Sequence, residues 1–374
     1  MSTFRITAAI MVLGGTVLAI STPYAIPRYS ARYEQDCNLC HINPTGAGAR
    51  ATYATRYIVP QEMSIIRLDE EQMAALSPPE FSENVILGTD LRTMFFSSRD
   101  DPTNPQDFFQ MQGNLYLSFQ MSDRLLAHMS RGLSSTYEVF GLGYFLPANG
   151  YIKVGRFTPD FGWRISDHTA FVREFTGFVP PSHTDVGVEA GIYPGRFAIT
   201  SSLQNGNPGS TQESFADNDL QVAGRASYRG NVGGLAFVLG GSALRNRTIL
   251  GDRTVAGPLG YLSWKGLTWL WEADFAEMDS AGAGTAKSWY ASNELSYQAV
   301  RGLDLITTFD YWDPNRSADT GTRIRYGLGV ESMPYPFVMV NAAVNLYRNK
   351  EGDLGMAVTD PEYDEVVLQV HFFY

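Results

Sequence analysis

Two cysteines and five histidines are all that this chain of 374 residues has of either type. A second cysteine pair is missing and the other histidines lie far away in sequence, so a four-ligand zinc site lacks donors. Beyond residue 20 there is no long apolar run, which excludes a transmembrane helix from the rest of the chain. Positive charge is short as well. The net charge is -11, against the basic footprint that nucleic-acid binding requires. Nor do strands alternate with helices, so the βαβ setting usual for a redox dithiol is absent.

What the chain does have of cysteine is concentrated. Cys37, Cys40 and His41 share one five-residue window of "EQDCNLCHINPTG", Glu34–Gly46. Three readings compete: covalent attachment of a c-type haem with His41 as axial ligand of the iron, a redox dithiol, and half of a zinc site. A dithiol does not require the histidine, and zinc lacks partners, so the spacing points to one covalent haem c on an exported chain. A chance pattern or a structural disulfide does not explain why the histidine joins the pair.

Export fits the first 25 residues. One positive charge, Arg5, precedes an apolar run from Ile6 to Ile20, short for a membrane span and suited to a signal peptide. Cleavage is expected after Ser21 or Ala25.

The rest of the sequence alternates. In "DFFQMQGNLYLSFQMS", Phe109, Met111, Leu115, Leu117, Phe119 and Met121 share one face, and Gln110, Gln112, Asn114, Ser118, Gln120 and Ser122 the other. A strand points successive side chains to opposite sides, so this one has an apolar and a polar face. Leu267, Trp269, Trp271 and Phe275 oppose Thr268, Glu272 and Asp274. Ile324, Tyr326, Leu328 and Val330 oppose Arg323, Arg325 and Glu331. Val338, Val340, Val344 and Leu346 oppose Asn341 and Asn345.

A soluble sandwich would alternate too. The connections discriminate. About sixteen strands fit between residue 84 and the end, and their links alternate short and long, as in outer-membrane barrels. Short links are Ser122-Asp123, 147–150, 193–196, 229–234, 265–266, 300–302 and 333–337. Long ones are 98–107, 157–184, 205–218, 246–254, 278–286, 313–321 and 348–362, with a shorter one around Gly132. Trp264, Trp269, Trp289 and Trp312 are expected in interfacial aromatic girdles. The final strand puts Val366, Leu368, Val370, Phe372 and Tyr374 on one face and ends on an aromatic, like the C-terminal strands of bacterial outer-membrane proteins.

The expected fold is therefore all-β, an outer-membrane antiparallel barrel of about sixteen strands behind a small N-terminal c-type haem segment. The expected layout is a signal peptide at 1–25, a monohaem cytochrome c-like segment at 26–82 and a porin-like barrel at 83–374. The second segment holds one short helix around Asp69 to Leu76, begun by acidic residues and stopped by Pro78. Outer-membrane lipid is one partner, and an even strand number sets both barrel ends on the periplasmic side. The haem segment enters from there or folds into the lumen as a plug, since one haem outside the pore does not wire a bilayer.

The stretch "AIPRYSARYEQDCNLCH" resembles the signature of the fused cytochrome-porins, outer-membrane proteins of iron oxidisers. The matching positions are Ala25, Pro27, Tyr29, Ser30, Cys37, Cys40 and His41; Tyr29-Ser30 stands where that family has Phe-Ala. The resemblance covers about seventeen residues and the architecture of the whole chain. It implies electron transfer across the outer membrane, from an extracellular Fe(II) donor to a periplasmic cytochrome, as an Fe(II)-oxidising cytochrome would do. "GRFTPDFGWR", Gly155–Arg164, is similar to a stretch of anion-selective porins. The alternative function is a diffusion porin whose haem segment acts as gate or sensor, with 157–184 narrowing the pore. For the second axial ligand, Met63, Met73 and His371 are the candidates, although methionine packs more often than it ligates. His128 and His371 alternate with apolar neighbours and should face the lumen. His168 and His183, in the long loop, are a weak metal signal, and no acid-base pair suited to peroxidase chemistry is recognisable.

Overall fold

Each alternating segment hydrogen-bonds to its sequence neighbours, and the ladder closes on itself. The protein is described from a computed structural model, over residues 27–34, 37–76, 80–99, 106–132, 137–165, 167, 169–174, 184–207, 220–248, 251–280, 284–317, 321–350 and 362–374. The expected signal peptide at 1–25, His168, His183 and Pro78 lie outside these residues.

The strands are β1 (Glu80–Ser82), β2 (Val85–Arg99), β3 (Gln106–Ser122), β4 (Leu125–Gly132), β5 (Tyr137–Leu146), β6 (Gly150–Phe157), β7 (Asp185–Ile192), β8 (Phe197–Gln204) and β9 (Gln221–Val232). They continue as β10 (Leu235–Thr248), β11 (Gly251–Trp264), β12 (Leu267–Ser280), β13 (Gly284–Val300), β14 (Leu303–Asp313), β15 (Arg323–Tyr335), β16 (Val338–Asn349) and β17 (Tyr363–Phe373). Strands β2 to β17 form the closed antiparallel barrel of sixteen; β1 is a short addition beside β2. Closure is the pairing of β17 with β2, which sets Phe373 opposite Asp90 and His371 opposite Arg92.

The faces divide as the alternation expects. Leu115, Leu117, Phe119, Leu267, Trp269, Phe275, Tyr326, Leu328, Val330, Val366, Leu368 and Phe372 are exposed on the outer wall. Their neighbours Ser118, Thr268, Glu272, Asp274, Arg325, Glu331, Asn345, Glu365 and His371 are buried within. A charged side chain would be lost in a hydrocarbon core, so an inward charge fixes the outward direction of the residues beside it.

Most of the tight links lie at one rim. At Lys265-Gly266 both residues have positive φ, +48° and +82°, as a two-residue hairpin turn of the right twist requires. Two links expected to be long are not. Thr248 pairs with Gly251, and Ser280 with Gly284, so the described residues of 246–254 and 278–286 are strand. Polar residues of the first, Arg247 and Asp252, continue the ladder beyond the apolar belt and pair across it at 3.3 Å. One tryptophan also differs from expectation. Trp312 is on the lumen face, where alternation with Tyr311 puts it, and packs on Phe161 and Val172 instead of joining a girdle.

Inside the wall lies the N-terminal segment, with α1 (Pro27–Tyr33), a single 3-10 turn at Cys37–Leu39 and a π-helix at Ala54–Met63; α2 (Glu70–Ala75) follows and buries none of its residues. Asp69 and Gln72 form a reciprocal capping box at the start of α2, which ends at Ala75 within the expected span. Pro60 interrupts the π-helix, where its missing N–H loosens the ladder.

Candidate functional site

The segment is fastened to the wall by arginines meeting inward carboxylates. Arg28 bridges Glu294 at 3.1 Å and Glu331 at 2.7 Å; Arg32 meets Asp304 at 2.6 Å; Arg50 meets Asp90 at 3.0 Å. Each acid lies toward the rim of short links. At that rim Ile65 donates its N–H to the Met333 carbonyl, and Arg301 donates to the carbonyls of Ser64 and Ile65. From the wall, Lys153 pairs with Glu189 at 2.6 Å, both fully buried, and donates to Asn43 at 3.2 Å. Ions so placed would cost several kcal/mol each if unpaired.

A second filling comes from the opposite rim. The chain between β6 and β7 folds inward and carries α3 (Phe171–Glu174). Arg173 meets both oxygens of Glu272, whose Oε2 also accepts the Trp163 N–H at 2.7 Å. Arg325 holds Asp310 and, at 2.7 Å, Asp167. The two fillings touch where Arg164 Nη2 donates to Thr45 Oγ1 at 2.9 Å, and where Trp163, Ala31 and Cys37 pack together.

The Cys-x-x-Cys-His turn stands at this junction. The N–H groups of Cys40 and His41 both donate to the Cys37 carbonyl, which coils the motif into one turn. Neither cysteine is in a disulfide; Cys37 is half-buried and Cys40 buried. Burial pushes the Cys40 thiol up to about 12, the reverse of what a reactive dithiol needs. Burial, assisted by Arg50, pushes the His41 imidazole down to about 4, so it is neutral near pH 7, the form that ligates metals. Its Nδ1 is buried without a hydrogen-bond partner. Two thiols outside any disulfide and a buried neutral imidazole suit a covalent haem as a donor set. The cavity beside Cys37, lined also by Thr45, Asp160, Thr200 and Arg225, is only about 30 Å³. That is room for a water, so the macrocycle itself would need more space than this cavity gives.

The other candidates are dispersed. Met63 lies in the cluster of Cys40, Ala54 and Ile58, and also touches that of Tyr29, Val59 and Met333. Met73 is half-exposed on α2, which buries none of its residues. His371 Nε2 is engaged by Asp90 at 2.6 Å, and His128 Nδ1 by Ser118 at 2.8 Å, both on the lumen face. Among the described residues no group of three or more His, Cys, Asp or Glu side chains is arranged to hold a metal ion.

Sequence reasoning missed Arg50, Asp90, Arg164 and Trp163. Asp90 had a signal, a carboxylate alternating with apolar Leu91. Arg164 and Trp163 close the stretch Gly155–Arg164, whose likeness to porins said nothing of where they point.

No protein-family model matches the sequence, and comparison with curated proteins gives no match. Solved structures do match in fold. OprB of Pseudomonas putida aligns with a TM-score of 0.62 at 8% identity, over 78% of this chain and 94% of that one. The anion-selective porin from Comamonas acidovorans gives 0.56 at 11%, over 78% and 99%. OmpT of Vibrio cholerae gives 0.55 at 14%, over 78% and 97%. At these identities the likeness establishes the fold alone, a closed antiparallel barrel like that of these outer-membrane proteins.

Proposed function

We propose that the chain is an outer-membrane barrel whose lumen segment carries one covalent haem on Cys37 and Cys40, ligated by His41, and that it moves electrons across the membrane. The observation that carries this reading is the position of the motif: the Cys37–His41 turn is inside the wall, where the two fillings of the lumen meet. A haem there would supply one-electron redox chemistry midway along the barrel. The protein's part is to hold the motif, exclude water around it and keep the imidazole neutral. Extracellular Fe(II) is the proposed donor, a periplasmic cytochrome the proposed acceptor, and membrane lipid the surroundings of the outer wall.

The second reading is a diffusion porin gated by the same segment. The comparisons favour it more directly, because they concern porin barrels. The filled lumen favours the first, because the arginine bridges leave the segment little freedom to open.

One experiment separates them. Protein in sealed vesicles is given Fe(II) on the outside only, with haem absorbance and solute leakage followed together. Haem reduction without leakage supports electron transfer. Leakage of small solutes with no reduction supports the gated pore.

A further inference from the structure

The outer wall is not evenly filled near the rim of short links. On β10 to β13 the outward residues beside that rim are Leu235, Leu262, Trp264, Leu267, Trp269 and Leu295, and they line a groove of about 630 Å³. That is the size of a small-ligand site. No charged residue lines it.

The neighbouring rings lean away and leave it open. Phe237 is the register partner of Leu262, but its ring lies over Gly230 of β9, where a Cβ would come within 2.2 Å of it. Trp269 leans toward β13, and its Nε1 donates to Asn293 Oδ1 at 3.2 Å. Two residues further from the rim, Trp271 lies over Gly260, where a Cβ would meet its ring at 2.7 Å. The strip over Leu262 is left between them.

In a membrane an apolar lining alone selects nothing, because lipid tails are as apolar as leucine. Selection falls to the mouth of the groove. Lys265, in the turn between β11 and β12, is exposed, and its Nζ lies 4.6 Å from the centre of the Trp264 ring. Among the described residues no carboxylate pairs with it. No acid occurs in 229–237, 262–269 or 295–303, the stretches around the groove. The bases of the adjoining turns are taken up by the N-terminal segment: Arg229 donates to the Glu34 carbonyl at 3.4 Å, and Arg301 to those of Ser64 and Ile65. Tryptophans settle at the headgroup level of a bilayer, so Trp264 and Trp269 set Lys265 at that depth. An ammonium there attracts anionic headgroups. We propose that the groove binds one anionic phospholipid, with an acyl chain lying along Leu262 and the phosphate meeting Lys265. This rests on the outer wall lying in a membrane, and not on what the lumen carries.

The test uses full-length protein in detergent, titrated with phosphatidylglycerol or with phosphatidylcholine of the same chains. Bound lipids are counted by native mass spectrometry. Wild type is expected to hold one phosphatidylglycerol at least about tenfold more tightly than phosphatidylcholine. Lys265→Asn keeps a residue that tolerates the positive φ of the turn, and is expected to bring the ratio below about threefold. Lys265→Arg is expected to preserve it. Leu262→Trp fills the groove from its floor and is expected to weaken both lipids at least about fivefold. Lys287→Asn, at the opposite rim, is expected to change neither. Equal retention of the two lipids by wild type overturns the proposal, as does a ratio that survives Lys265→Asn. Many lipids bound without saturation and untouched by Leu262→Trp are an annulus, and also overturn it. So does a wild-type oligomer that Leu262→Trp turns into monomers with lipid binding unchanged, because the groove then seats a second copy. If Leu262→Trp fails to fold, as read by heat-modifiable migration, Leu295→Phe is read in its place against the same outcomes. Protein that enters no vesicle refutes the membrane placement itself, and the proposal with it.

Discussion

Arg28 Nη2 lies 2.7 Å from Glu331 Oε1, an ion pair buried on both sides and spanning 303 residues of sequence. It joins the first helix of the chain to the third-last strand of the barrel. Removing one partner strands the other. Arg28→Met removes the cation between Glu294 and Glu331, a loss of about 3–5 kcal/mol for a buried pair. The denaturant midpoint of purified protein should fall accordingly, and the paired change Arg28→Met, Glu331→Met should recover part of it. A midpoint unchanged by Arg28→Met would show that the segment is not held this way.

The two fillings of the lumen predict two independent barriers. Arg173→Gln releases Glu272 and with it the inward loop, yet the N-terminal segment still fills the other half. Planar-bilayer recordings should find this variant closed. A chain with Arg28→Met, Arg32→Met and Arg173→Gln combined should show openings several times more frequent than any single variant. Open channels in Arg173→Gln alone would mean that the segment is no barrier.

Haem stain should survive denaturing electrophoresis in the wild type and vanish in a Cys37→Ala, Cys40→Ala double variant. Haem that acid acetone extracts from wild-type protein would contradict covalent attachment.

The rims give a topology experiment. Epitope tags at 147–150 or 265–266, among the short links, should be inaccessible on intact cells, and tags within 351–361 accessible. Reversed labelling would turn the barrel over.

The outer belt can be charged. Leu328 is 65% exposed at the middle of β15. Leu328→Arg should cost about 2–4 kcal/mol in lipid, measured by folding titrations into vesicles. A cost near zero would place β15 outside the hydrocarbon region.

Much of the wall was legible because a period of two is visible without tertiary context. Leu328 and Glu331 announced their faces by their neighbours alone, and Asp69 with Gln72 announced the start of α2. Strand lengths were less legible. Polar residues such as Arg247 and Asp252 read as loop, since nothing local shows that they pair across a ladder rising past the apolar belt. Trp312 was misplaced for a related reason. A tryptophan near a loop suits a girdle, and only its register with Tyr311 sends it inward. The site was legible as a motif, Cys37 to His41, but its setting was not. The bridges from Arg28, Arg32 and Arg50 reach acids between 40 and 303 residues away, and no pattern in one sequence joins them.

The seam between β2 and β17 has a second use. Asp90 and Phe373 complete the wall, and the same two side chains receive Arg50 from within. Shutting the hoop and mooring its contents therefore draw on one pair of residues. The joint where the first and last barrel strands meet doubles as an anchorage for the segment inside.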